Sequence, residues 1–444
     1  MHRRSFIKKA AIAAAGAYML PTLLPSGRLF ASTGTRLANH VVLVLFAGGV
    51  RHQESVDQAY LSAQGLPSTG NLMPNMLSGG VPSSNLIYTP WTPVLGTQLS
   101  SQGTLFRELS YASGPTGHYN GHTAAITGNY TNASLDLNIN PDNPTLFEYY
   151  RKHTDPSKSA INCWWMSEGL GPYPSLNYSR HPQYGPMYGA NYLRPATTFG
   201  DYGNTYLANG LQFQPDDAGR INNMKNFMNA NFDKQMGALP GIINSDADKA
   251  TIESFISQTL QITQSGTIEI PMPAGTSLGE MTGDLTSLMY AWQVLKNIHP
   301  ELLVVNTFNL DTCHSDFTGY LKFLHKADYG VGWLWDKIQH DPVLQNDTIL
   351  ICMPDHGRNL TPNNIYDANG LRAFDHTSDD NSRRNFALIV GPPSVVKQNQ
   401  VLGSSGNPVG ENIDIVPTIA HILGFYDDVP SGMLPGAILT QAFV

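Results

Sequence analysis

Cysteine is scarce: Cys163, Cys313 and Cys352 are the only three among 444 residues. They show no Cys-x-x-Cys spacing, and an odd number cannot close a complete disulfide framework. That excludes a disulfide-built scaffold. Stability must come from an ordinary apolar core, for which the length is ample. Cys352 lies inside an apolar run and reads as part of that core. Charge is sparse as well, at 14% of residues, and the basic sign is the scarcer: 26 Lys and Arg against 34 Asp and Glu. An acidic surface disfavours nucleic acid and anionic membrane as partners. It does not forbid an anionic substrate at a site whose metal inverts the local field.

Long apolar runs are few, and the longest stands near the N-terminus. His2-Arg3-Arg4-Ser5-Phe6-Ile7-Lys8-Lys9 precedes an Ala-rich stretch from Ala10 to Leu24, then Gly27-Arg28-Leu29-Phe30-Ala31. A basic start, an apolar middle and a small residue at the end make an export signal. Paired arginines followed by Phe and Lys point to the twin-arginine translocase. The alternative is a membrane anchor, but the run is shorter than the ~20 residues a span needs. We therefore expect residues 1–31 to be a signal, residues 32–444 one α/β domain, and the destination the periplasm or exterior. Arg3, Arg4, Lys8, Lys9 and Arg28 leave with the signal and no acid does, so the remaining chain is more acidic.

Short, β-branched apolar runs read as strands buried on both faces: HVVLVLF at 40–46, LLVVNTFNL at 302–310, TILICM at 348–353 and FALIV at 386–390. Gly103 to Ser110 is a further strand. Helical spacing marks 119–128, 216–236, 245–262, 276–298, 319–339 and 413–423. Residues 62–90 read as surface loop. Residues 160–215, rich in Tyr, Pro, Asn and Gly, read as a loop-rich part of an insertion over about 131–300. The alternation predicts an α/β fold: a mostly parallel central sheet with helices on both faces. In such sheets functional groups gather beyond the carboxyl ends of the strands.

That rule turns scattered polar residues into one site. Asp311, Cys313, His314 and Asp316 follow one strand, Asp355 and His356 follow another, and Asp375 and His376 precede FALIV. Carboxylate with neutral imidazole suits Zn²⁺, Mn²⁺ or Fe²⁺. The set Asp311, His314, Asp355, His356 and His376 exceeds the three protein ligands of one tetrahedral catalytic site. It fits two ions roughly 4 Å apart better. Each residue also has a plain reading: a His–Asp neighbour pair is commonly a surface hydrogen bond, Asp311 a loop or cap residue, Asp316 and Asp375 solvated acids.

The ordered pieces DTCH (311–314), the helix with Tyr320 and Asp328, PDHG (354–357), His376 and NIDIVPTI (412–419) resemble the alkaline phosphatase superfamily, which includes phosphodiesterases and sulfatases. The resemblance covers about 302–440 and part of 40–130; the region 131–300 has no counterpart. It implies an alkaline phosphatase-like fold. It also implies one metal site at Asp311, His314 and His376 and a second at Asp355 and His356, for one or two divalent ions, Zn or Mn. Two departures stand out. The family places an Asp after its first strand, where this chain has Ala47, with His52, Glu54 and Asp57 nearby as substitutes. The family's hydroxyl nucleophile position falls on His118, with Thr116 and Ser113 close by. The resemblance thus implies an exported metal-dependent hydrolase of anionic phosphate or sulfate esters, with His118 or His122 as acid or base and Thr116 as a substitute nucleophile. The alternative is a catalytically impaired member that keeps metal for stability; a third reading is a binding protein using the Tyr-rich segment.

Overall fold

The computed structural model describes residues 34–67, 70–80, 90–133, 139–154, 160–168, 173–199, 241–377 and 379–444. The signal and the 216–236 helix lie outside these residues. Among the described residues eight strands form one sheet: β1 (His40–Phe46), β2 (Gly103–Ser110), β3 (Cys163–Met166), β4 (Asn191–Leu193), β5 (Leu302–Asn306), β6 (Thr348–Pro354), β7 (Arg384–Val390) and β8 (Gln400–Leu402). Their order is β4-β3-β5-β1-β6-β7-β2-β8. Five of the seven pairings are parallel, and only β7 runs against its neighbours. The mostly parallel α/β expectation is met.

Alternate residues of the central strands enter two cores. Val42, Val44, Phe46, Leu303, Val305, Leu350 and Cys352 face one side. There they pack beneath α3 (Asp246–Gln264), α4 (Gly283–Ile298) and α5 (Phe317–Gln339). Val41, Leu43, Leu45, Leu302, Val304, Ile349 and Ile351 face the other. There they meet α1 (His118–Thr127), α2 (Leu146–His153) and α6 (Ile415–Ile422). Burial on both faces explains why these strands are apolar without alternation. No helix among the described residues is long and apolar enough to cross a membrane. All three cysteines are buried and free.

The Tyr-rich segment departs from the loop reading. Its short runs CWWM and NYL join the sheet as β3 and β4, parallel to β5. Residues 71–77 are buried throughout, although a surface loop was expected there. Asp328 of α5 accepts hydrogen bonds from the backbone N–H groups of Asn75 and Met76 and from the Asn75 amide, and so ties this turn to the helix.

Candidate metal centre

Three chain directions converge on one sheet edge. Asp355 and His356 follow β6 directly, and Asp311 and His314 sit on the 3-10 turn Asn309–His314 after β5. His376 precedes β7, and because β7 is antiparallel its start lies at the edge where the parallel strands end. β2 also ends there, and the chain returns as α1, which opens with His118.

The five expected ligands come together, and His118 joins them. One group is His118, Asp311, His314 and His376; the other is His118, Asp355 and His356. His118 Nε2 lies 2.9 Å from Asp311 Oδ1, and its Nδ1 lies 3.1 Å from Asp355 Oδ2 and 3.0 Å from His356 Nε2. His314 Nε2 is 3.1 Å from Asp311 Oδ1. Asp355 and His356 are fully buried, whereas the side chains of Asp311 and His314 are 28% and 37% exposed.

The donor set fits a divalent cation. Each of three imidazoles has its Nδ1 occupied by an acceptor: Gly357 O for His356 at 2.7 Å, Thr116 O for His376 at 2.5 Å, and Asp375 Oδ1 for His314 at 2.7 Å. Fixing Nδ1–H in this way leaves Nε2 as the lone-pair donor of each ring. Burial lowers His356 to about 3, against the pull of Asp355, and holds His376 well below the ordinary imidazole range. Both rings are therefore neutral near pH 7, the form that ligates metal. Burial works to raise Asp311, but the neighbouring His118, His314 and Arg358 hold it well below the usual carboxylate range. Asp355 is likewise held low against burial, by His356 and His118. Burial opposes charge on His118 too, yet its bonds to Asp311 and Asp355 raise it to about 9.

The turn after β1 is shaped to this centre. Gly48 and Gly49 have φ of 105° and 77° and donate backbone N–H groups to Asp355 at 3.4 and 2.9 Å. A Cβ on Gly49 would stand 2.7 Å from the His356 ring. Gly49→Ala is expected to destabilise the protein by about 1–3 kcal/mol from backbone strain and to weaken metal binding. Urea unfolding with and without chelator measures both; an unchanged midpoint refutes the fit.

The suggested substitutes for the missing acid after β1 do not reach the centre. Glu54 pairs with Arg51, Asp57 with Arg107, and His52 faces Glu108 at 3.5 Å. None belongs to either group. The Thr116 hydroxyl donates to the His376 carbonyl and lies 3.2 Å from Ser382 Oγ. His122 is buried, with Nδ1 2.6 Å from the His118 carbonyl and 3.6 Å from Asp355 Oδ2, and burial lowers it to about 4. The sequence reading missed Arg358. Fully buried, it donates to Asp311 Oδ1 at 3.0 Å, to the Phe374 carbonyl at 2.8 Å and to the Gly48 carbonyl. Its only sequence signal is a position two residues after His356.

No family model matches the sequence, and no curated protein matches it. Solved structures do. One is an alkaline phosphatase superfamily protein from Vibrio parahaemolyticus, 13% identical, with a TM-score of 0.42 over 91% of this chain and 71% of that one. Another is a 2-O GAG sulfatase, 11% identical, with a TM-score of 0.46 over 91% of this chain and 74% of that one. A third is a phosphonate monoester hydrolase of Agrobacterium radiobacter, 13% identical, with a TM-score of 0.44 over 91% and 76%. What the chain is similar to in these proteins is their fold.

Proposed function

We propose that this chain is an exported, metal-dependent hydrolase of phosphate or sulfate esters, an outlying relative of the alkaline phosphatase superfamily. The observation that carries the reading is the convergence of imidazoles and carboxylates at one sheet edge, with the far nitrogens of His314, His356 and His376 already fixed. Export rests on the N-terminal residues alone. A divalent cation bound here, Zn²⁺ or Mn²⁺, polarises an ester oxygen and acidifies a water. The chain's own groups bind and orient. Asp311 and His314 form the solvent-facing wall through which an ester enters. His118 stands between the two carboxylates, 2.9 Å from Asp311 and 3.1 Å from Asp355, and joins the donor set. The Arg358 guanidinium behind Asp311 adds a fixed positive charge that favours an anionic substrate.

Metal analysis of purified protein, with a panel of aryl phosphate, phosphodiester and sulfate substrates, tests this. We expect turnover that chelation abolishes and a divalent cation restores. Protein with no metal and no turnover on any substrate ends the proposal.

Two observations favour a second reading, a non-catalytic protein stabilised by its metal. No carboxylate from the segment after β1 joins the centre among the described residues, and the Thr116 hydroxyl is spent on a backbone carbonyl. On that reading His356→Ala lowers the melting temperature although no ester is ever turned over.

A further inference from the structure

Resting on the metal reading above, we propose that the centre takes one divalent cation, held by Asp311, His314, His376 and Nε2 of His118. Asp355 and His356 are then the acceptor pair that orients the His118 ring, not a second metal site. A neutral imidazole has a single lone pair, and its other nitrogen carries a proton. Both groups of ligands claim His118, one through Nε2 and the other through Nδ1. They therefore compete for one donor. With His118 the first group has four ligands, which fill a tetrahedral shell so that a water or ester oxygen would enter as a fifth. Without it the second keeps two, fewer than the three protein ligands of a catalytic site.

The surroundings choose the same side. Asp355 already accepts from the backbone N–H groups of Gly49 at 2.9 Å and His356 at 3.1 Å on Oδ1, and of Gly48 at 3.4 Å on Oδ2. Asp311 is contacted at Oδ1 by side chains only: His118, His314 and Arg358. With Nδ1–H donated to the Gly357 carbonyl, His356 Nε2 is an acceptor. It and Asp355 Oδ2 both aim at His118 Nδ1, at 3.0 and 3.1 Å, a pair that calls for an N–H there. The lone pair then points from Nε2 into the first group. A carboxylate that fixes the far nitrogen of a metal-bound histidine is a recurrent way to set ring orientation and basicity. Access agrees: Asp355 and His356 are sealed, while Asp311 and His314 open to solvent.

Titration of chelator-treated full-length protein with Co²⁺, followed by visible absorption and metal analysis, decides the matter. We expect one ion per chain with a four-coordinate spectrum. Asp311→Ala and His314→Ala should each weaken binding more than about 100-fold. Asp355→Asn, which keeps an acceptor oxygen, should weaken it about 10–100-fold with the stoichiometry still one. His356→Gln should also stay at one, and it serves as the deciding variant if Asp355→Asn does not fold. Two ions in the wild type, falling to one in Asp355→Asn or His356→Gln, overturn the inference and leave the hydrolase reading standing. One ion that survives Asp311→Ala but is lost in Asp355→Asn overturns it as well. No ion bound by the wild type ends both.

Discussion

Glu54→Leu is expected to cost about 3–5 kcal/mol of folding free energy. Arg51 and Glu54 are fully buried and meet through two hydrogen bonds, at 2.7 and 2.6 Å. The Arg51 guanidinium also lies 3.7 Å from the Phe374 ring centroid. Removing the carboxylate leaves that cation in the interior with the ring face and one long contact to the Leu360 carbonyl, at 3.4 Å. Desolvation then has no compensating charge, and the penalty far exceeds the net worth of the pair. The double variant Arg51→Met/Glu54→Leu removes both charges and should recover most of the loss. Urea unfolding of the wild type, the two single variants and the double variant gives the coupling energy directly. Additive losses would show that the two residues do not depend on each other. The pair matters beyond stability because it follows the Gly48–Gly49 turn and packs against Phe374, one residue before the Asp375–His376 pair.

The parts of the fold visible in the sequence are those with the simplest physics. HVVLVLF and TILICM pair along their whole length in the sheet centre, where both faces are covered, and such runs cannot be mistaken for surface. Strand direction left no such mark: FALIV reads the same parallel or antiparallel. Yet its antiparallel course is what brings His376, which no strand leads into, to the edge where Asp311 and Asp355 lie. CWWM and NYL were invisible as strands because three or four residues among Tyr, Pro and Gly carry no period. At the centre, Asp355-His356 was legible because it follows a buried strand. The place of His118 between two carboxylates was not, since its partners stand 193 and 237 residues away in the chain. Arg358 was hidden for a different reason: a buried arginine is rare, and only its partners reveal that it is buried.

Acidification from pH 7 to pH 5 is expected to destabilise the metal-free protein, before carboxylates of ordinary pKa protonate. His52, His122 and His325 are buried and lowered by that burial to about 4, and His356 to about 3. His376 is lowered as well. Below the ordinary value of 6.5 the unfolded chain protonates all five while the folded chain does not, so stability falls as pH falls. Buried acids act the other way. Burial raises Asp284 and Asp328 to about 7, so the folded chain gains those two protons across the same range. His118, raised to about 9, is charged in both states below pH 6 and adds no slope there; its contribution is lost as pH climbs from 6.5 through about 9. Asp311 and Asp355 keep their contribution until pH drops below the ordinary value of 3.8. His153 is lowered to about 4 as well, while burial also raises Glu54 and Glu148 and narrows the margin. The lowered rings outnumber the raised acids, and each net proton taken up on unfolding is worth about 1.4 kcal/mol per pH unit. Urea midpoints in the presence of chelator at pH 7, 6 and 5 should fall, and identical midpoints would refute the neutral, buried state of these rings. His325→Gln offers a control away from the centre. His325 Nε2 accepts from the Trp91 N–H at 2.8 Å, and its Nδ1 lies 2.9 Å from the Leu72 carbonyl. Such a ring is neutral by geometry, and its removal should reduce the slope by about one proton, or about 1.4 kcal/mol per pH unit.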